Sequence, residues 1–236
     1  MLRVLIVTSA GLAGVALAAG VPPDAGSAKQ MTVAAQAFVA TLDESQRQLA
    51  QYPLDDDERT TWSNLPMLMV EPQGLHLSAL NDSQRRALHD LMRASLSSQG
   101  YAKIAGILRL DDMLHDIEAS ELEADDERRD DAFARAFVGT RGSGNYVVAV
   151  YGTPGRGDWG WKMAGHHLGA NFTVSGERVG FTPTFLGSNP MNVSSGTYAG
   201  WTALPHEGGR GIDLMLSLDA KQRQTATEWR AAPAAR

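Results

Sequence analysis

An alternation of apolar and polar residues between positions 166 and 174 is the feature that most constrains the fold of this chain. Leu168, Ala170, Phe172 and Val174 are apolar, whereas the residues between them are small or polar. A period of two is typical of a strand with one buried face, because successive side chains of a strand point to opposite sides. The segment therefore predicts a half-buried β-strand.

The Ser175-Gly176 pair follows this strand and indicates a two-residue turn into a second, antiparallel strand. Pairing Val174 with Glu177 across the turn places Phe172 opposite Val179, which keeps the apolar side chains together. A loop longer by one residue would scatter the apolar side chains, so the short loop is favoured. We therefore expect an antiparallel hairpin in this register.

Two histidines stand at the start of the strand, and the alternation assigns them to different sides. His166 shares its parity with Leu168 and is expected to be buried and hydrogen-bonded in the core. His167 has the opposite parity, which it shares with Trp159 and Trp161 if the strand runs back unbroken. We therefore expect His167 to lie on an aromatic surface that can hold a ligand.

A short phrase that occurs three times indicates where helices begin. Each copy has a leucine, then Asp or Asn as the helix cap, and Gln three residues after the cap, which together form a capping box. The three copies are Leu42–Arg47, Leu80–Arg85 and Leu218–Arg223. Their unequal spacing favours recurrent capping chemistry over an internal repeat.

Apolar spacing assigns the longer elements. Residues from Asp82 to Leu96 carry one apolar stripe at helical spacing, and the segment from Tyr101 to Glu118 continues in the same way. Tyr146–Tyr151 is a continuous run of β-favouring residues and is expected to be a central strand. The pattern of helices first and strands afterwards is typical of an α+β fold.

The N-terminal 18 residues have the pattern of a secretory signal peptide. Arg3 is followed by an apolar run that ends in Ala16-Leu17-Ala18, the small-x-small pattern of a cleavage site. We therefore expect cleavage near Ala18, no integral membrane segment after cleavage, and an exported protein, either periplasmic or secreted. Residues 19–30 contain prolines and small residues and are expected to form a linker.

The rest of the chain, residues 31–236, is expected to form a single α+β domain with a helical N-terminal lobe packed on a mainly antiparallel β-sheet. The expected parts are a helical lobe over residues 31–135, a sheet lobe over residues 146–202 and a C-terminal helical segment over residues 205–232.

Charge and cysteine content exclude several classes of partner. The formal net charge is -6, and loss of Arg3 with the signal peptide changes it to -7. Binding to nucleic acid or anionic lipid depends on Lys and Arg contacts to phosphate, so we expect neither partner. A small molecule or a neutral polymer is the expected ligand. The chain has no cysteine, so it forms no disulfide and its stability must come from packing.

Several motifs in fixed order resemble domain-of-unknown-function family 3500 (DUF3500). They are Tyr151-Gly-Thr-Pro, Trp159-Gly-Trp-Lys, Gly165-His-His-Leu, Pro183-Thr-Phe-Leu-Gly-Ser-Asn-Pro190 and Gly200-Trp-Thr-Ala-Leu. The resemblance runs from about Met31 onward and implies no activity. Members of the family extend further, with more sheet and another histidine-containing segment, so the resemblance implies that this chain lacks their C-terminal part.

The first hypothesis for the chemistry is a metal-assisted enzyme. Imidazole is the commonest protein ligand for zinc or copper, and His206 with Glu207 could join His166 and His167 to complete a ligand set. Adjacent strand residues point to opposite faces, however, which argues against both neighbouring histidines binding one ion.

The second hypothesis is a metal-free, hydrolase-like site with His167 as general acid or base. Its expected substrate-binding residues are Trp159, Trp161, Arg141, Asn171 and Asn189. The sequence marks no nucleophile for such a site, since it has neither a cysteine nor a Gly-x-Ser-x-Gly elbow.

The alternative function is a non-catalytic ligand-binding module, in which aromatic side chains stack on a sugar or another planar ligand. The aromatic residues available for it are Trp159, Trp161, Tyr198 and Trp201. Of these three hypotheses, the sequence favours a hydrolase-like or metal-assisted enzyme whose site surrounds the Trp-Gly-Trp and Gly-His-His segment.

Overall fold

The computed structural model describes residues 25–63, 65, 67–194 and 197–227. The expected signal peptide and the first part of the expected linker lie outside these residues. The first helix already begins at Ala25, so residues 25–30 are helical and do not form the expected linker.

Helices occupy both ends of the described chain. They are α1 Ala25–Thr41, α2 Glu44–Ala50, α3 Asp82–Ser95, α4 Ser98–Ala124, α5 Ala132–Gly139, α6 Pro205–Ser217 and α7 Ala220–Ala226. The three predicted capping boxes are confirmed, at Asp43, Asn81 and Asp219. In each box the cap side chain accepts a backbone N–H that has no partner within the helix, which fixes the residue at which the helix begins. No helix in the described part of the chain is long and apolar enough to span a bilayer.

A six-stranded, mainly antiparallel sheet joins the two helical ends, which confirms the predicted α+β fold. Its strands are β1 Gln51–Tyr52, β2 Leu75–His76, β3 Val147–Thr153, β4 Arg156–Gly165, β5 Leu168–Ser175 and β6 Arg178–Leu186. The last four strands form an antiparallel meander. The other edge of β3 pairs with β1 in parallel and with β2 in antiparallel fashion, so the helical lobe contributes two short strands that the sequence did not indicate.

The β5–β6 hairpin has a two-residue loop, but the loop lies one residue later than the sequence predicted. Ser175 pairs with Arg178, so the loop is Gly176-Glu177 and the predicted pairing of Val174 with Glu177 is wrong. Gly176 takes the first loop position with φ +60°, a left-handed backbone that glycine adopts without strain. Apolar side chains still meet across the strands, because Val174 now lies opposite Val179.

The two faces of the sheet differ in what covers them. One face packs on α1, α3 and α4 and forms the apolar core, with Trp159, Trp161 and Phe172 among its side chains. The other face is covered by residues 53–63, which we call the strap. Lys162 on this face donates from Nζ to the carbonyl oxygen of Glu58 in the strap at 2.6 Å, so a buried amine holds the strap down.

Candidate functional site

His166 and His167 form the two-residue turn between β4 and β5. Gly165 pairs with Leu168 across the turn. The prediction of one unbroken strand through the histidines is therefore wrong. His166 is 4% exposed, which confirms the predicted burial. His167 is half-buried. The two rings do not lie on opposite faces, because their centroids are 4.0 Å apart.

Both ring nitrogens of His166 are held by buried charged groups. Arg141 Nη1 lies 2.9 Å from His166 Nε2, and an arginine only donates, so Nε2 accepts this hydrogen bond. The ring hydrogen is then on Nδ1, which donates to Asp111 Oδ1 at 2.6 Å. Arg141 also donates from Nε to Glu118 Oε2 at 3.0 Å. We call these four side chains the buried network; it ties the turn to α4.

The backbone of the turn is fixed by further contacts. The Tyr146 hydroxyl donates to the carbonyl oxygen of His166. Burial, and next the carboxylate of Asp111, raise the pKa of Tyr146 well above its ordinary value, so the hydroxyl remains a donor. A Cβ added at Gly165 would lie 2.4 Å from the Tyr146 ring, so only glycine fits there. The histidine turn is therefore rigid on its buried side.

His167 has an unusual backbone and an unusual pKa. Its φ is +60°, and within the described residues no other non-glycine residue has a positive φ. This left-handed region costs an L-residue about 1–2 kcal/mol. Burial, and next the adjacent His166, lower the pKa of His167 to about 4. The imidazole is therefore unprotonated at neutral pH.

Two aromatic side chains, from the strap and from β6, lie close to the histidine turn. Trp62 stacks on Phe185 with a centroid distance of 5.5 Å and an interplanar angle of 21°. A Cβ added at Gly187 would lie 3.1 Å from the Phe185 ring and 3.4 Å from the Cβ of His167, so both side chains adjoin Gly187. Trp62 is 45% exposed. Trp62 and Phe185 thus form a partly exposed aromatic surface close to the histidine turn, which we call the aromatic ledge.

Trp159 and Trp161, which were predicted to bind a ligand, lie in the apolar core. Trp159 and Trp161 are each 1% exposed, and Trp161 stacks on Phe172 in the apolar core at 4.6 Å. A ligand on the surface cannot reach them. The physical reason is the turn at the histidines, which interrupts the alternation and leaves the β4 tryptophans on the helix-covered face. The predicted surface of His167 with Trp159 and Trp161 is therefore wrong.

The remaining predicted substrate-binding residues have different surroundings. Arg141 is buried in the network and does not face the ledge. Asn171 is buried on the strap-covered face, where its Nδ2 donates to the carbonyl oxygen of Pro183 at 2.6 Å. Asn189 is exposed in the loop after β6, two residues beyond Gly187. Of the three, only Asn189 remains accessible to a ligand near the ledge.

The predicted metal ligands are not brought together. Glu207 at the start of α6 pairs with Lys103, whereas His166 pairs with Asp111, eight residues further along α4. Eight helical residues correspond to about 12 Å along the helix axis. Both nitrogens of His166 are also occupied by protein partners. Within the described ranges, no group of three or more histidine, aspartate and glutamate side chains is arranged to hold a metal ion. His206 and Glu207 therefore do not complete a set with His166 and His167.

Sequence reasoning missed Asp111, Glu118, Trp62 and Phe185. A signal for Asp111 was present, since it falls among the apolar positions of a buried helix face, where an unpaired carboxylate is rare. Trp62 had no comparable signal, because a tryptophan in a polar, irregular segment has no periodicity that indicates its neighbours. The contact that matters, with Phe185, spans more than 120 residues.

Comparison with known proteins identifies a family. The model of a family described as a protein of unknown function, DUF3500, matches residues 24–235. Neither a curated protein nor a solved structure matches the chain. Because the family match covers nearly the whole sequence, the chain belongs to DUF3500, a family to which its description assigns no activity.

Proposed function

We propose that this chain is an exported, hydrolase-like enzyme in which His167 is the general base and the aromatic ledge binds a neutral ligand. The observation that carries the proposal is the position of His167. Its imidazole stands on a turn held by the buried network, and the Cβ of His167 and the Phe185 ring, which stacks on Trp62, both adjoin Gly187.

The protonation state of His167 suits this role. Its pKa of about 4 leaves the ring unprotonated at neutral pH, as a general base must be before the reaction. A ring nitrogen would take a proton from water as the water oxygen bonds to a carbonyl carbon. The proton would then pass to the leaving group when the carbonyl–leaving-group bond breaks. A low pKa makes the imidazolium a stronger acid for this step and the imidazole a weaker base for the first step. His166 has no free nitrogen and acts as a positioning residue.

The backbone of His167 supports a role beyond folding. Glycine or asparagine adopts a left-handed turn position with less strain than histidine does. Strained positions persist where the surrounding structure enforces them, and they are concentrated at functional sites. Here the buried network holds the turn in this conformation, and the strained residue is His167, close to the aromatic ledge.

The ledge itself points to an uncharged ligand. Trp62 and Phe185 present the faces and edges of uncharged rings, which bind apolar or planar groups such as a sugar face or an aromatic ester. The overall negative charge of the chain disfavours anionic substrates. The expected substrates are therefore neutral esters or amides.

A panel of neutral chromogenic esters and amides tests the proposal. For any substrate that is turned over, His167→Asn should lower kcat by about 100-fold or more, which is typical of the loss of a general base. Trp62→Ala should mainly raise KM. His206→Asn is the matched control, because His206 is an exposed histidine on α6 and should leave both constants unchanged. Undiminished turnover by His167→Asn would refute the assignment.

A non-catalytic ligand-binding module is the second candidate, and the exposure of the Trp62–Phe185 stack favours it. In that case a ligand changes tryptophan emission, His167→Asn leaves its affinity unchanged and no substrate is turned over. Trp62→Phe keeps a ring on the ledge but removes the indole that reports binding. A ligand-induced emission change that persists in Trp62→Phe would exclude the ledge as the binding surface.

Export is part of the proposal and rests on the N-terminal residues alone. Arg3, the apolar run after it and Ala16-Leu17-Ala18 support secretion with cleavage near Ala18. N-terminal sequencing of the protein recovered from outside the cytoplasm should begin close to Ala19. A mature protein that retains Met1 would contradict this part of the proposal.

A further inference from the structure

A cavity separate from the aromatic ledge lies between the C-terminal turns of α4 and helix α5. Its volume is about 550 Å³, within the usual range for small-molecule sites. Its lining includes Phe133, Phe137, Glu118, Glu121, Asp125 and Arg128. The cavity therefore combines two aromatic rings with three carboxylates.

A buried cation of the protein, Arg141, contacts one half of the cavity lining. The guanidinium of Arg141 lies over the Phe137 ring with Cζ 4.4 Å from the centroid, and its Nε donates to Glu118 Oε2 at 3.0 Å. A ring face and a carboxylate together are a favourable setting for a planar cation, because the ring quadrupole and the negative charge both attract it. In this half the cation is supplied by the protein itself.

The other half offers the same combination. Phe133 stacks beside Phe137 with a centroid distance of 6.4 Å, lies one helical turn earlier on α5 and is 69% exposed. Because α4 and α5 are joined by a short turn and run back along each other, the carboxylates one and two turns after Glu118 lie at this end of the cavity. These are Glu121 and Asp125.

The charge of the lining indicates the ligand. The nearby acidic residues Asp126 and Glu123 pair with Arg129 and Arg135, and these four groups lie outside the lining. Within the lining and its bound Arg141, the three carboxylates face two guanidinium groups, which leaves one negative charge. A ligand with a single positive charge neutralises it.

We propose that this cavity binds a small planar organic monocation, of the amidinium or guanidinium class, stacked on Phe133 and paired with Glu121 or Asp125. The ligand would repeat the arrangement that Arg141 makes with Phe137 and Glu118. This site is separate from the aromatic ledge and does not depend on the function proposed for it.

Titration calorimetry on the full mature chain, with benzamidinium chloride as probe, tests the site. Benzamide is the control ligand, since it has nearly the same shape and no charge. Benzamidinium should bind one per chain and about 10-fold more tightly than benzamide, and its affinity should fall with added salt. Phe133→Leu and Glu121→Gln should each weaken benzamidinium binding by about 3- to 10-fold.

The variants keep the result interpretable, because Phe133 and Glu121 are both exposed and their substitution leaves the core intact. Glu177→Gln, in the β5–β6 loop, removes a carboxylate outside the cavity and should leave binding unchanged. Equal affinity for benzamide and benzamidinium, no binding of benzamidinium by the wild-type chain, or full affinity in both Phe133→Leu and Glu121→Gln would each overturn the proposal.

Discussion

Substitution of Asp111 by alanine tests whether the buried network holds the histidine turn to α4. Asp111 is 2% exposed, and both of its carboxylate oxygens accept hydrogen bonds. Oδ1 accepts from His166 Nδ1 at 2.6 Å and Oδ2 accepts from the backbone N–H of Gly142 at 2.9 Å. Alanine removes both acceptors and leaves two buried donors without partners.

The expected loss follows from those two contacts. A hydrogen bond to a charged group contributes about 1.5–3 kcal/mol, and Asp111 accepts two of them. We therefore expect Asp111→Ala to lower the free energy of unfolding by about 3–5 kcal/mol. Since domains are stable by about 5–15 kcal/mol, this is a large part of the total.

Urea denaturation followed by circular dichroism measures this difference. Asp112→Ala is the matched control, because Asp112 is the next residue of α4, is exposed and accepts one backbone hydrogen bond, from Ser143 at 2.6 Å. It should cost about 1 kcal/mol or less. If Asp111→Ala costs no more than Asp112→Ala, the network does not stabilise the fold and the reasoning about the turn fails.

Three further predictions follow from the same contacts. Gly165→Ala should lower the free energy of unfolding by about 2–3 kcal/mol, because the added Cβ would overlap the buried Tyr146 ring. Gly209→Ala is the control, since a Cβ there meets open space and should not destabilise the protein. Thermal denaturation compares the two variants. Because the pKa of His167 is lowered from 6.5 to about 4, stability should be lost as pH falls through that interval, and a pH series should show a flatter dependence in His167→Gln. Lys162→Met removes the amine that holds the strap, so limited proteolysis should cut residues 53–63 faster than in the wild type.

The parts of the fold that depend on local pattern could be predicted from the sequence. A capping box is complete within four residues, so the sequence alone indicated where three helices begin. The alternation through Leu168 and Phe172 likewise identified β5, because a period of two needs no distant partner. Burial of His166 was also correct, although it arises from the turn and not from the strand alternation.

The neighbours of His167 in the candidate site could not be predicted, because distant parts of the chain supply them. Asp111 meets His166 across 55 positions, and Trp62 meets Phe185 across an even longer interval. No spacing in the sequence encodes either contact. The wrong prediction for Trp159 had a different cause. It continued the strand alternation back through the histidines, but these two residues form a turn. The turn changes which residues of β4 share a face with those of β5.

The central claim is that the buried network fixes the turn through His166, and that the turn presents His167 for function. Unfolding free energies of His166→Asn and His167→Asn, measured side by side in urea, test it most directly. His166→Asn should cost about 3 kcal/mol, because asparagine cannot reach both Asp111 and Arg141 and a buried charge loses its partner. His167→Asn should change stability by less than about 1 kcal/mol, because asparagine tolerates the left-handed backbone. An equal loss in the two variants would contradict the account.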